Sequence, residues 1–106
     1  MPKYLLQANY VGDGVKGLLK EGGTARCAAA ENAVKSMGGT LEAFYFAFGK
    51  SDAFVIADLP DNASMAALAL SISASGAVAV TTTVLLTPGE VDEAAKKTPS
   101  YRPPGQ

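Results

Sequence analysis

Histidine is absent from this chain of 106 residues, and cysteine occurs once, as Cys27. Those two gaps remove the commonest general base, the commonest metal ligand and any intrachain disulfide. One chain therefore cannot assemble a zinc site, a Ser-His-Asp triad or a haem held by imidazole. Any chemistry is left to carboxylate, tyrosine, lysine, arginine or a bound cofactor, and neither a metal nor a resident cofactor is expected. Charge of one sign is missing too: nine Lys and Arg stand against ten Asp and Glu, for a net charge of −1. Such a balance gives no strong field to gather nucleic acid or to coat an anionic membrane, and neither is expected as a partner. There is also no long hydrophobic run. The longest candidate, around residues 63–80, is broken by Ser64, Ser71, Ser73, Ser75 and Gly76 and is too polar to span a bilayer. Without an N-terminal signal pattern either, a soluble cytoplasmic protein is expected. The length suits one domain with a single two-layer core and at most one site.

What is present is an ordered series of periodicities. Residues 3–10, KYLLQANY, read as a strand with Tyr4, Leu6, Ala8 and Tyr10 on one face, closed by Gly12-Asp13-Gly14. A short helix near Val15 should break at Gly22-Gly23 and resume from an N-cap at Thr24 to about Met37. Thr40 to Phe48 alternates with almost every position apolar: Leu41, Ala43, Tyr45 and Ala47 on one face, Glu42, Phe44, Phe46 and Phe48 on the other. A strand apolar on both faces is buried on both faces. Gly49-Lys50-Ser51-Asp52 makes a hairpin-length turn into a strand from Ala53 to Leu59, and Pro60 with Asp61 opens an alanine-rich helix over 62–75. A β-branched strand over 77–87 and a short helix from Pro88 to about Lys97 follow.

The order strand, helix, strand, strand, helix, strand predicts an α+β, ferredoxin-like fold with a four-stranded antiparallel sheet and a short C-terminal helix. Residues 1–97 should form the domain and 98–106 an extended or disordered tail unless a neighbouring subunit holds it. Apolar residues on both sides of the strands leave one sheet face to bury after the helices have packed. A second copy of the chain is the expected cover, in a sheet-to-sheet homo-oligomer.

Four stretches carry a resemblance: KYLLQANYVGDGVKGLLKEGGTAR, LEAFYFAFG followed by an aspartate and an apolar strand, DLPDNASMAALAL, and VLLTPGEVDEA. Together they make the chain similar to the GYD domain family, small bacterial proteins named for a Gly-Tyr-Asp signature and largely without an assigned function. The resemblance implies kinship with dimeric α/β-barrel proteins, in which two sheets pack face to face. Gly49 and Asp52 match the signature, whereas Ser51 stands where it has its aromatic hydroxyl. Any catalytic role of that tyrosine is lost or replaced in this chain.

Each remaining constellation has a functional and a bland interpretation. Gly12, Gly14 and Gly17 satisfy G-x-G-x-x-G after a strand and before a helix, but the second half of a dinucleotide fold is missing, so a glycine-permissive turn is favoured. Amides at that helix start, with Lys16, Lys20 or Arg26, offer a weaker alternative as a carboxylate or phosphate holder. Tyr10, Phe44, Tyr45, Phe46 and Phe48 suit a core and subunit interface. The less favoured alternative is an apolar pocket between sheet and helices in which Tyr10 or Tyr45 orients a planar, apolar or aromatic ligand. Asp52 is most simply a turn carboxylate bonded to backbone N–H groups; as a proton acceptor it is, with Glu42, the candidate acid/base. Cys27, with no histidine or second cysteine to activate it, reads as a passive small side chain.

The sequence therefore expects a small-molecule-binding oligomer, with Tyr10, Lys16, Arg26 and Phe46 as ligand contacts. Two alternatives stay open. One is a cofactor-independent enzyme acting on a small aromatic or carbonyl compound, with Asp52 as acid/base and Tyr45 as orienting donor. The other is an oligomerising structural or regulatory module without chemistry.

Overall fold

The computed structural model describes residues 1–106 and is α+β. The elements are β1 (Lys3–Tyr10), α1 (Asp13–Glu21), α2 (Gly23–Ser36), β2 (Thr40–Phe46), β3 (Ala53–Asp58), α3 (Asn62–Ala74), β4 (Val78–Leu85) and α4 (Pro88–Lys96). All four strands pair antiparallel in the order β2-β3-β1-β4. The two central strands are the first and third, which no single hairpin brings together; α2 and α3 make the crossovers.

The core forms between the sheet and these two helices. From β1 it takes Tyr4 and Leu6, from β3 Val55 and Ala57, from α2 Val34, and from α3 Met65 and Leu68, with Leu59 just beyond β3. Alternation in β1 and β3 is strict, as a half-covered antiparallel pair requires. Full burial of a side chain the size of Leu68 or Met65 contributes about 1.5–3 kcal/mol, so a core this small leaves little margin. Tyr4 is buried to 1% exposure yet polar at its tip, and its Oη–H donates to Asn62 Oδ1 at 2.5 Å, tying β1 to the first turn of α3. Asp61 caps that helix by accepting from the Ser64 N–H at 2.8 Å. Those hydrogen bonds from Ser64 hold its carboxyl below the usual aspartate value.

Several boundaries depart from the sequence expectation. α2 begins at Gly23 with Gly22 as its N-cap, not at Thr24. Gly22 lies at φ +84°, turns the chain sharply between the two helices, and its carbonyl already accepts from the Arg26 N–H at 3.3 Å. β2 ends at Phe46, before Ala47 and Phe48. The facing of β2 also differs, because the register slips between Leu41 and Ala43 opposite the continuous strand β3. A bulge adds one residue and reverses the alternation beyond it. Leu41 thereby shares the core side with Phe44, rather than lying with Ala43 and Tyr45.

The opposite sheet face has no helix over it. Ala43, Ile56 and Leu5 form one cross-strand row and Tyr45 with Phe54 the next, while Gln7, Thr81 and Thr83 continue these rows toward β4. At one end Lys3 Nζ bonds Glu42 at 2.9 Å and Asp58 at 3.0 Å. The two carboxylates, Glu42 foremost, raise the lysine above its ordinary value.

α4 stands apart from this body. Thr87 and Glu90 cap it reciprocally, yet every one of its residues is exposed. The molecule measures 56 × 32 × 23 Å with a radius of gyration of 16.8 Å, against about 13 Å for a compact chain near this length. No helix is long and apolar enough to cross a membrane.

Candidate functional site

β1 leaves the sheet at Tyr10, and α1 then crosses the end of the helix layer without burying a single residue. Gly14 is required at the crossing, since a Cβ there would run into the carbonyl oxygen of Ala77. Gly12, at φ +51°, supplies the turn into the helix. Both glycines are thus accounted for by chain geometry, and Asp13 already complements the helix start with negative charge. The G-x-G-x-x-G string consequently reads here as a turn.

Asp52 sits where the β2–β3 connection meets β1. Its Oδ2 accepts from the Tyr10 N–H at 2.9 Å, its N–H donates to the Ala8 carbonyl at 2.9 Å, and its carbonyl accepts from the Ala47 N–H at 2.8 Å. The residue pins the connection to the end of β1, as a turn carboxylate would, and its Oδ1 makes no hydrogen bond within the protein. Ser51 beside it is buried.

Two clefts open on either side of α1 and share Tyr10 and Leu18. The first, about 450 Å³, is lined by Tyr10, Val15, Leu18, Phe46, Phe48 and Asp52 together with Gly23 and Ala47. The second, about 410 Å³, carries Arg26 with the acidic Asp13 and Glu21. Between sheet and helices there remains only about 80 Å³, lined by apolar side chains and Arg26. Ligand sites run to roughly 300–1,000 Å³, so the clefts qualify and the interior gap does not.

In the first cleft the rings of Tyr10 and Phe46 lie 6.5 Å apart with planes tilted by 30°, and Phe44 braces Phe46 edge-on at 5.1 Å. Phe46 in turn rests over Gly23, where a Cβ would come within 2.9 Å of the ring. Burial raises the Tyr10 phenol above its ordinary value; the Arg26 guanidinium pulls it down, while the Asp52 and Glu21 carboxylates push it further up.

Of the residues singled out in the sequence, Tyr10, Phe46 and Asp52 meet in one cleft, and Arg26 reaches the far side of Tyr10. Lys16 points to solvent on α1 and lines neither cleft. Tyr45 alternates to the uncovered sheet face, 71% exposed, so one subunit does not pair it with Asp52 as acid and donor. Glu42 is bound up with Lys3 at the other end of that face. Val15 and Leu18 carry no such signal in the sequence, whereas Phe48 belongs to the aromatic set named there. The cleft wall on α1 follows from the crossing of that helix, which no local pattern encodes. No group of three or more Cys, Asp or Glu side chains is placed to hold a metal ion.

The family model described as GYD domain matches residues 4–95, nearly the whole chain. The chain belongs to the GYD domain family. No curated protein and no solved structure matches it. Within this GYD domain Gly49 and Asp52 fall on the β2–β3 connection, and Asp52 lines the aromatic cleft.

Proposed function

We propose that this GYD domain is a small-molecule-binding subunit of a homo-oligomer, with a ferredoxin-like body whose bare sheet face is covered by a second copy. The observation that carries the binding role is the Tyr10–Phe46–Asp52 cleft. It is large enough for a metabolite, walled by aromatic and aliphatic side chains, and holds one carboxylate fixed in orientation by a backbone N–H. Support for assembly comes from the apolar rows of Leu5, Ala43, Ile56, Tyr45 and Phe54 on the uncovered face, and from the projecting α4. Exposed apolar patches of this kind mark interaction surfaces.

A second reading, cofactor-independent catalysis, draws on Asp52 alone, which lines the cleft and whose Oδ1, without a hydrogen-bond donor in the protein, is available to take a proton from a bound carbon or oxygen acid.

Native mass spectrometry of protein purified from its own cells without dialysis tests binding and assembly together. An oligomer carrying a defined extra mass is the expected result. A monomer without an adduct would contradict both halves of the proposal.

A further inference from the structure

Resting on the binding role just proposed, we infer that the cleft between α1 and the β2–β3 connection takes a small organic cation, an alkyl- or quaternary ammonium compound. Three of its eight lining residues are aromatic: Tyr10, Phe46 and Phe48. Asp52 is the single charged residue among the eight, and neither lysine nor arginine lines the space. Aromatic ring faces carry negative potential, and a cation held among several of them within about 6 Å is attracted by each. A carboxylate at the rim adds a full opposite charge, and Oδ1 of Asp52 is free to face a ligand because Oδ2 already serves the Tyr10 N–H. Val15, Leu18 and Ala47 complete walls suited to methyl groups, which an ammonium carries and a metal ion does not.

The competing chemistry, an aromatic carboxylate, would need Arg26. That guanidinium lines the interior gap and the second cleft but not this one, and in the second cleft it is accompanied by Asp13 and Glu21. An anion entering there meets two carboxylates for one arginine. A cation entering the aromatic cleft meets no like charge among its lining residues.

Phe48 contributes the outermost ring. It is fully exposed, so its removal perturbs no packing. An exposed phenylalanine at a cleft mouth becomes useful when a ligand brings methyl groups against it.

The test is calorimetric titration of the full chain with choline, with 3,3-dimethyl-1-butanol as its neutral isostere, and with benzoate. Choline is expected to bind roughly tenfold more tightly than the isostere. Asp52→Asn should weaken choline several-fold while leaving the isostere unchanged, Phe48→Ala should weaken choline more than it weakens the isostere, and Arg26→Gln should leave choline unaffected. Equal binding of choline and isostere, both lost on Phe46→Leu, would overturn the cation assignment and leave the binding site standing. Preference for benzoate abolished by Arg26→Gln would overturn it in favour of the opposite charge. Failure of all three probes to bind would overturn the assignment together with the site.

Discussion

The carboxylate of Asp52 and the backbone N–H of Tyr10, 42 residues apart in sequence, are joined at 2.9 Å. That bond sets the β2–β3 connection against the end of β1 and so fixes the distance between the Phe46–Phe48 wall and the Tyr10 wall of the cleft. Asp52→Ala removes the acceptor and leaves a half-buried N–H unpaired, at a cost of about 1–3 kcal/mol. Asp52→Asn keeps an acceptor oxygen and should cost well under half of that. Denaturant unfolding of the two variants separates the positional role of the residue from its charge.

Val55 and Phe54 are sequence neighbours on opposite faces of β3. Val55→Ala should lower subunit stability by about 2 kcal/mol, since it opens a void in the helix-covered core. Phe54→Glu should leave the far-ultraviolet circular dichroism of the subunit intact and dissociate the proposed oligomer, because the changed side chain lies on the bare face. Sedimentation velocity reads the second outcome. An unchanged oligomer would place the interface elsewhere.

The glycines of the α1 turn differ in what surrounds them. Gly14→Ala forces a Cβ against the Ala77 carbonyl and should destabilise by about 1–3 kcal/mol. Gly17 has open space around it inside α1, and Gly17→Ala should stabilise by up to about 1 kcal/mol through helix propensity. Thermal unfolding distinguishes the two, and a dinucleotide-binding role would instead make both substitutions matter for ligand and neither chiefly for stability.

Asp61 gives a pH dependence of known sign. Its folded value lies below the ordinary 3.8 because it accepts hydrogen bonds from Ser64. The stabilisation is therefore fully present above pH 3.8 and is lost as pH falls through the lower, folded value. Asp61→Asn retains a cap without the charge. The stability difference between wild type and Asp61→Asn should shrink in acid below pH 3.8 and stay constant from pH 5 to 7.

The order and type of the elements were legible because each rests on a local signal: alternation in KYLLQANY, the Gly22-Gly23 break, Asp61 before an alanine-rich run, Thr87-Pro88 before α4. The facing of Leu41 was not, since a bulge is set by the partner strand and leaves the sequence of β2 looking regular. Tyr10, Phe46 and Asp52 could be named from residue type and position. Their meeting, and the exclusion of Tyr45 and Lys16 from it, depends on how the β2–β3 connection docks on β1 and how α1 crosses above. The acceptor role of Asp52 was anticipated in kind, but its partner, a backbone group on a distant strand, carries no side-chain signature.

The Tyr10–Phe46–Asp52 cleft is the proposed meeting place of this GYD domain and its ligand. The most direct measurement is a ¹H–¹⁵N correlation spectrum followed through titration with choline and with benzoate. The largest shifts are expected on the amides of Tyr10, Gly23, Phe46–Phe48 and Asp52, with the Tyr10 amide, bonded to the carboxylate, among them. Shifts confined to the uncovered sheet face or to α4, or no shifts at any of these amides, would contradict this placement.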